Sequence, residues 1–355
     1  MTALPQDGDR IALHARDVRF DFSALRTDWI PDEPFASHLI DVLHLLLPEG
    51  ERWFVEVFSQ ALPMVRDDAL AEDVRGFIGQ EAMHASSHQG ALDHLGEAGI
   101  DVTRYVEQVE WIFGELLGER GLSGDEAREW LVERVGLVAA IEHLTAVLGE
   151  WILHSPELDA AGADPQMLDM LRWHGAEEVE HRSVAHDLYV HLDGRYLRRI
   201  RAMLVTAPAL IRLWASGTAQ LCARDPGLRG TPARRARVRD YLRASRRGLV
   251  PGPMLFTRAM LSYLNPRFHP ANHGDTDAAV AYLAVSPAAR AAEAEPSSGT
   301  AEPTIDTAAE PTIDTAAEPS RSTATAPTAD TAAEPRSSTA AAPSSSTAAE
   351  HGGAA

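Results

Sequence analysis

Residues 80–90 read QEAMHASSHQG, and the spacing sets Glu81, His84 and His88 in one row of a helix. At about 100° per residue, their side chains fall within roughly 60° of one another. A second row stands in WHGAEEVEH at 173–181, where His174, Glu178 and His181 follow i, i+4, i+7 spacing. Both rows hold Glu-x-x-His, as Glu81/His84 and Glu178/His181, and the pattern recurs nowhere else in the chain. Roughly one such match is expected by chance in a chain with this Glu and His content. The surroundings must therefore carry the reading.

Those surroundings fit a helical metal site. A four-helix bundle holds two metal ions when two helices each give Glu-x-x-His and the other two each give one Glu. Each motif then needs a carboxylate one helix earlier, on an otherwise apolar face. Glu51 lies on a stripe with Leu47, Val55, Phe58 and Leu62, where a lone charge is costly unless compensated. Glu142 shares a face with Val135, Val138, Thr145 and Gly149. The order Glu51, Glu81/His84, Glu142, Glu178/His181 repeats one helix-pair pattern twice. His174 reads as a further ligand on the last helix. His88 and Glu177 stand either as extra ligands or as hydrogen-bond partners behind one. The competing reading is buried ion pairing, for which 32 basic residues are available.

Other polar residues on these helices have plainer readings. Glu56 lies one turn after Arg52 and reads as an exposed ion pair. Glu133 and Glu150 lie off the Glu142 stripe. Glu180 points away from the row and reads as a salt-bridge residue. His154 caps a helix end, and His143 packs or caps. Gln80 either orients a ligand or sits at the surface. His269 and His273, in FHPANH at 268–273, are left unassigned.

Apolar residues recur at three- and four-residue spacing through 35–285, and Pro or Gly punctuates the segments. The pattern predicts helices at 35–46, 49–63, 68–97, 103–119, 124–154, 164–192, 196–223, 233–246 and 253–264. Pro48 is placed at the start of the second, and Ser123 and Asp164 serve as N-caps. The fold class is all-α, a bundle of long antiparallel helices with shorter additions. Residues 1–34 form an N-terminal extension and 35–285 a helical dinuclear-metal domain. From 286 to 355 the composition turns to Ala, Glu, Pro and Thr, with an octapeptide unit beginning AEPTIDTA at 301–308. So few bulky apolar residues cannot offset ordering entropy, and the tail is predicted to be disordered.

Several motifs together resemble a known family. PEGERWF (48–54), GQEAMHASSH (79–88), IEHLTA (141–146), WHGAEEVEHRSVAHDLY (173–189) and FHP (268–270) look like the landmarks of a bacterial family described as predicted metal-dependent hydrolases. The resemblance spans roughly residues 10–275. The helical pattern also resembles the ferritin-like di-iron carboxylate proteins, which implies a ferritin-like four-helix bundle core. Among these, the p-aminobenzoate N-oxygenase type carries His-x3-Glu-x-x-His, matched here by His174, Glu178 and His181. The resemblance implies that Glu51, Glu81, His84, Glu142, His174, Glu178 and His181 hold the metal.

Composition narrows the partners. The net charge is −20, which argues against a nucleic-acid partner, since phosphate binding needs excess positive charge. Every basic residue is Arg. The single cysteine, Cys222, rules out Cys-rich zinc modules and an intramolecular disulfide; together with an N-terminus lacking an apolar signal region, it points to the cytoplasm. The apolar segment 203–221, interrupted by Pro208 and Arg212, reads first as a buried bundle helix. Its sharper reading is an interfacial helix that meets a greasy substrate or a membrane surface.

Four carboxylates balance two divalent ions, and mixed O/N ligation suits iron or manganese better than structural zinc. The first functional reading is a di-iron enzyme that uses O₂ and an electron donor to oxidise a small organic substrate. The alternative is a metal-dependent hydrolase using a metal-activated water, with zinc or manganese. The third is a non-catalytic metal-binding protein. A monomer or dimer is expected.

Overall fold

The computed structural model describes residues 11–294, and they form an all-α structure with no strand among the described residues. In chain order the helices are α1 (Pro34–Ala61), α2 (Asp68–Glu97), α3 (Thr103–Glu110), α4 (Gly124–Leu153), α5 (Pro156–Ala160) and α6 (Pro165–His181). They continue with α7 (Val184–Leu192), α8 (Tyr196–Arg224), α9 (Val238–Arg246), α10 (Pro253–Tyr263), α11 (Thr276–Leu283) and α12 (Pro287–Ala294). A π-helical turn, Trp111–Leu116, continues α3.

Local chemistry explains the ends. The Asp67 side chain accepts from Ala69 N and Leu70 N to open α2, and Asp164 accepts from Gln166 N and Met167 N ahead of Pro165 to open α6. Both satisfy amide groups that the helix cannot pair. Ser123 takes the extended N-cap backbone ahead of α4, but its side chain makes no capping bond.

Two hairpins carry the site. α1 packs along α2, and α4 along α6. Within the first hairpin Phe58 stacks on Phe77 at 4.4 Å, and between the hairpins Phe77 meets the His181 ring edge-on at 4.8 Å. Both phenylalanines are fully buried, a burial of about 2–3 kcal/mol each. α4 and α6 cross where Gly149 faces Gly175. A Cβ on Gly175 would stand 2.9 Å from Gly149 Cα and 2.7 Å from Ile152 Cγ2. Only hydrogen fits there, and the backbones approach closely enough to bring Glu142 and Glu178 together.

The structure departs from the sequence expectations at several points. Segments 35–46 and 49–63 are one helix, and Pro48 lies inside α1. Proline removes a single interior hydrogen bond; packing along α2 keeps the helix intact. Conversely, 164–192 is broken at Arg182 and Ser183 into α6 and α7. There the Arg182 side chain turns back to Val179 O and out to Pro270 O and Thr276 Oγ1.

From residue 11 on, the expected N-terminal extension is part of the fold. Val18, Phe22, Trp29 and Ile30 are buried, and Arg16 pairs with Glu177 and Glu180. The fold also passes the composition change at 286. α12 buries Ala288 and Ala289, while Asp169 accepts from Ala288 N and Ser286 Oγ. Small side chains suffice to pack a short helix against α6. The remainder of the expected tail, with its octapeptide units, lies outside the described residues. Segment 203–221 is not a wholly buried helix: Met203, Thr206, Ala207, Leu213 and Leu221 face inward, while Leu204, Val205 and Ile211 are exposed.

Candidate metal centre

Four helices each present carboxylate or imidazole groups to one buried region. α1 gives Glu51, α2 gives Glu81 and His84, α4 gives Glu142, and α6 gives His174, Glu178 and His181. None is more than 5% exposed. Their donor atoms form two groups, each with atoms within 4.8 Å of one another: Glu51, His84, His174 and Glu178, and Glu81, Glu142, Glu178 and His181. Glu178 belongs to both. The two Glu-x-x-His motifs are therefore interleaved. His84 joins the Glu51 group while Glu81, one turn away, faces His181 Nε2 at 3.2 Å.

The hydrogen-bond inventory separates inward from outward atoms. Both oxygens of Glu51, Glu81 and Glu142, together with Glu178 Oε2, His84 Nδ1 and His181 Nε2, are buried without a hydrogen-bond partner. Each imidazole is nonetheless held on its far side. His84 Nε2 lies 3.0 Å from Glu177 Oε2, His174 Nδ1 lies 2.8 Å from His88 Nε2, and His181 Nδ1 lies 3.2 Å from Gln80 Oε1. Glu177 is fixed in turn by Arg16 and by Trp173 Nε1, and Gln80 donates to Glu180. Three rings thus have one nitrogen anchored and the other turned inward, the arrangement that orients metal-bound histidines.

Ionised carboxylates are costly there unless a cation or a proton compensates them. Burial pushes the Glu51 carboxyl well above its ordinary range, and Glu81, Glu178 and Glu142 push it further. Burial likewise raises Glu142, and raises Glu81 to about 8. For Glu178, burial is outweighed by His181 and His174, which hold it low. Arginine does not supply the compensation, because no Arg among the described residues forms an ion pair with any of these four. Partnerless buried oxygens in that number cost several kcal/mol unless an ion fills the space. An all-oxygen-and-nitrogen donor set without thiolate fits hard or borderline divalent ions.

His88 and Glu177 are placed behind His174 and His84, outside both groups. Beyond His88 lies a buried polar chain on α1 for which the spacing of motifs gave no warning. His88 Nδ1 lies 2.8 Å from His44 Nδ1, and His44 Nε2 is 4.0 Å from Asp41 Oδ1. Asp41 also accepts from Trp29 Nε1 at 2.8 Å and meets His38 Nδ1 at 3.1 Å, and His38 Nε2 reaches Asp225 at 2.8 Å. His38, Asp41 and His44 stand three residues apart on an apolar helix, and His44 is seven residues before Glu51. That polar stripe was the available signal.

The other polar residues settle as follows. Glu56 pairs with Arg134, not with Arg52, which bonds Glu49 and Gln89. Glu133 pairs with Arg198 and Arg201, and Glu180 with Arg16. His154 Nδ1 meets Glu150 O at 2.9 Å, and His143 Nε2 meets Ala259 O at 3.0 Å. His273 stacks on Phe268. A third group, His186, Asp187 and His269, also lies close together. There His269 Nδ1 accepts from Ala271 N, so its Nε2 carries the proton that meets Asp187 Oδ1 at 2.9 Å. Arg199 faces His186 Nε2, leaving Nδ1 to donate to the same oxygen. That cluster closes on itself.

The sequence model of one family, described as predicted metal-dependent hydrolase, matches residues 14–274. The chain belongs to that family. Its match covers every residue of the two donor groups, together with His88, Glu177, Gln80 and the α1 polar chain. No curated protein and no solved structure matches the chain. Among the described residues, no helix is long and apolar enough to cross a membrane.

Proposed function

We propose that this predicted metal-dependent hydrolase holds two divalent ions between α1, α2, α4 and α6, and that it hydrolyses a small organic substrate. The observation that carries the two-ion reading is the set of partnerless buried oxygens and imidazole nitrogens, which divides into two groups around Glu178. Glu51, His84 and His174 would hold one ion, Glu81, Glu142 and His181 the other, with Glu178 between them. Bound ions of this kind supply Lewis acidity and a water acidic enough to attack an ester or amide near neutral pH.

The protein's own part is geometric. Glu177, His88 and Gln80 fix the three imidazoles in the orientation that points the other ring nitrogen inward. The carboxylates offset the ions' charge, and burial keeps bulk water from competing with substrate. The family description supports hydrolysis over the other chemistry available to such a site.

A second reading is favoured by the donor set itself. Four glutamates and three histidines, with His174, Glu178 and His181 in the N-oxygenase spacing, form a ferritin-like di-iron pattern suited to O₂-dependent oxidation. One experiment separates the readings. Protein is loaded anaerobically with zinc, manganese or ferrous iron, and assayed for ester and amide turnover, then for O₂ uptake after reduction. Turnover with zinc or manganese without O₂ supports hydrolysis. O₂ uptake confined to the iron form, with no hydrolysis under any loading, overturns it in favour of oxidation.

A further inference from the structure

α8 and α10 both rest on α4 and touch each other, with Tyr196 Oη donating to Leu264 O at 2.7 Å. Their outward faces therefore lie on one side of the described fold. On α8 the solvent stripe runs through Leu197, Arg201, Leu204, Val205, Ile211 and Arg212, positions within about 120° of one another. Leu197 is 78% exposed and Ile211 58%. On α10, Met254, Arg258 and Leu261 occupy one exposed stripe at helical spacing, with Leu261 at 64%. Singly, exposed aliphatic residues mean little. Six on two helices that pack against each other are more than scattered single residues.

The two helices themselves contribute only positive charge, Arg201 being paired with Glu133 of α4. Neither α8 nor α10 contains an Asp or a Glu. Residues 194–285 hold 16 Arg against 4 Asp, a net charge of +12 in a chain whose total is −20. Arg212 and Arg258 have no hydrogen-bond or ion-pair partner among the described residues. Guanidinium groups beside exposed aliphatics match a surface with phosphate at its rim and hydrocarbon beneath. A second copy of the chain fits poorly, because a two-fold contact sets this face, and so its arginines, against itself. No described helix can cross a bilayer, so the contact is peripheral.

We propose that the α8/α10 face docks on a membrane surface containing anionic phospholipid, with Leu204, Val205, Ile211 and Leu261 entering the headgroup layer and Arg212 and Arg258 pairing with phosphate. The proposal stands independently of the reaction at the metal centre.

The test is co-flotation of the full chain with vesicles of phosphatidylcholine alone or mixed with phosphatidylglycerol. The chain's overall negative charge opposes nonspecific adsorption to the mixed vesicles, so binding reads this face. Binding to the mixed vesicles only, weakened by salt, is expected. The double variant Arg212→Gln/Arg258→Gln should lower partitioning about thirtyfold. Leu204→Gln/Ile211→Gln should lower it further at high salt, where the apolar contact dominates. All four side chains are exposed, and an unchanged thermal melt confirms folding. No partitioning into mixed vesicles overturns the proposal, as does partitioning that both variants leave unchanged. A concentration-dependent dimer that the Leu204/Ile211 variant dissolves, without vesicle binding, also overturns it.

Discussion

His88 Nε2 lies 2.8 Å from His174 Nδ1, while the other nitrogen of His174 faces Glu178 at 2.9 Å. Burial holds His88 well below the ordinary imidazole range, with His174, His44 and His84 adding to the effect, and burial lowers His44 to about 4. Both rings are therefore neutral, and each can accept on one nitrogen and donate on the other. With an ion at His174 Nε2, the donation runs in one direction: His174 to His88, then His88 to His44, whose Nε2 lies 4.0 Å from Asp41 and makes no hydrogen bond among the described residues. His88 thus determines which nitrogen of His174 is free.

Removing that partner should weaken metal binding without abolishing it. For His88→Phe, a ring of similar shape without an acceptor, the expected loss of affinity is on the order of 10–100-fold. Competition against a fluorescent chelator measures it. Unchanged affinity would show that His174 is oriented by packing alone, and His88→Gln should recover part of the loss.

The two donor groups make different predictions for metal content. Glu178→Gln touches both groups and should leave dialysed protein with less than one ion per chain. Glu51→Gln touches one group and should leave about one. Elemental analysis of each variant, beside the parent at two, is the measurement. Equal loss from both variants would mean that the site fills as one unit, and retention of two ions by Glu178→Gln would dismiss the shared-carboxylate assignment.

Metal removal should lower stability as well as activity. Ions that bind the folded chain stabilise it by mass action, about 4 kcal/mol at a thousandfold excess over the dissociation constant. Chelation should therefore lower the melting temperature by several degrees, and re-addition of the bound metal should restore it. A melting temperature indifferent to chelator would contradict the placement of ions among buried carboxylates.

Away from the centre, His38 predicts a pH dependence. Burial disfavours its charge, but hydrogen bonds to Asp225 and Asp41 outweigh burial and lift its pKa from 6.5 to about 9. The folded value lies above the unfolded one, so this contribution is complete below pH 6.5 and disappears as pH rises through 9. A shift of that size corresponds to about 3 kcal/mol. Denaturant unfolding across pH about 6 to about 10 should show the loss in the parent chain, and His38→Gln should flatten that part of the profile.

Sequence carried the donor residues further than it carried the fold's edges. Glu-x-x-His on two helices, with Glu51 and Glu142 on apolar stripes, is legible because helical spacing maps directly onto a face. Which residues share a donor group is not legible, since that depends on how the hairpins interlock; Glu81 and His84 are one turn apart yet enter different groups. The α1 polar chain was passed over because His38, Asp41 and His44 match no motif. Pro48 misled for a physical reason: its local cost is real, but packing against α2 outweighs it. At the far end, an alanine-rich segment looked too poor in bulky side chains to fold, although α12 needs only Ala288 and Ala289 buried, with Asp169 accepting from Ala288 N and Ser286 Oγ from Ala289 N.

The crossing of α4 and α6 gives the last prediction. Gly175→Ala introduces a Cβ 2.7 Å from Ile152 Cγ2 and 3.0 Å from Gly149 O. Ile152 can turn, but the backbone of Gly149 cannot, so the helices must separate by several tenths of an ångström. Overpacking of this kind costs about 1–3 kcal/mol, or roughly 2–10 °C in melting temperature for a fold of this size. The separation also withdraws Glu178 and His181 from Glu142, which sits 3.2 Å from His181 Nε2. Metal affinity should therefore fall together with stability. A control at an exposed position of α4, Glu126→Ala, should leave affinity alone. If Gly175→Ala lowers the melting temperature but binds metal as tightly as the parent, the close crossing serves packing only and does not set the distance between the donor groups.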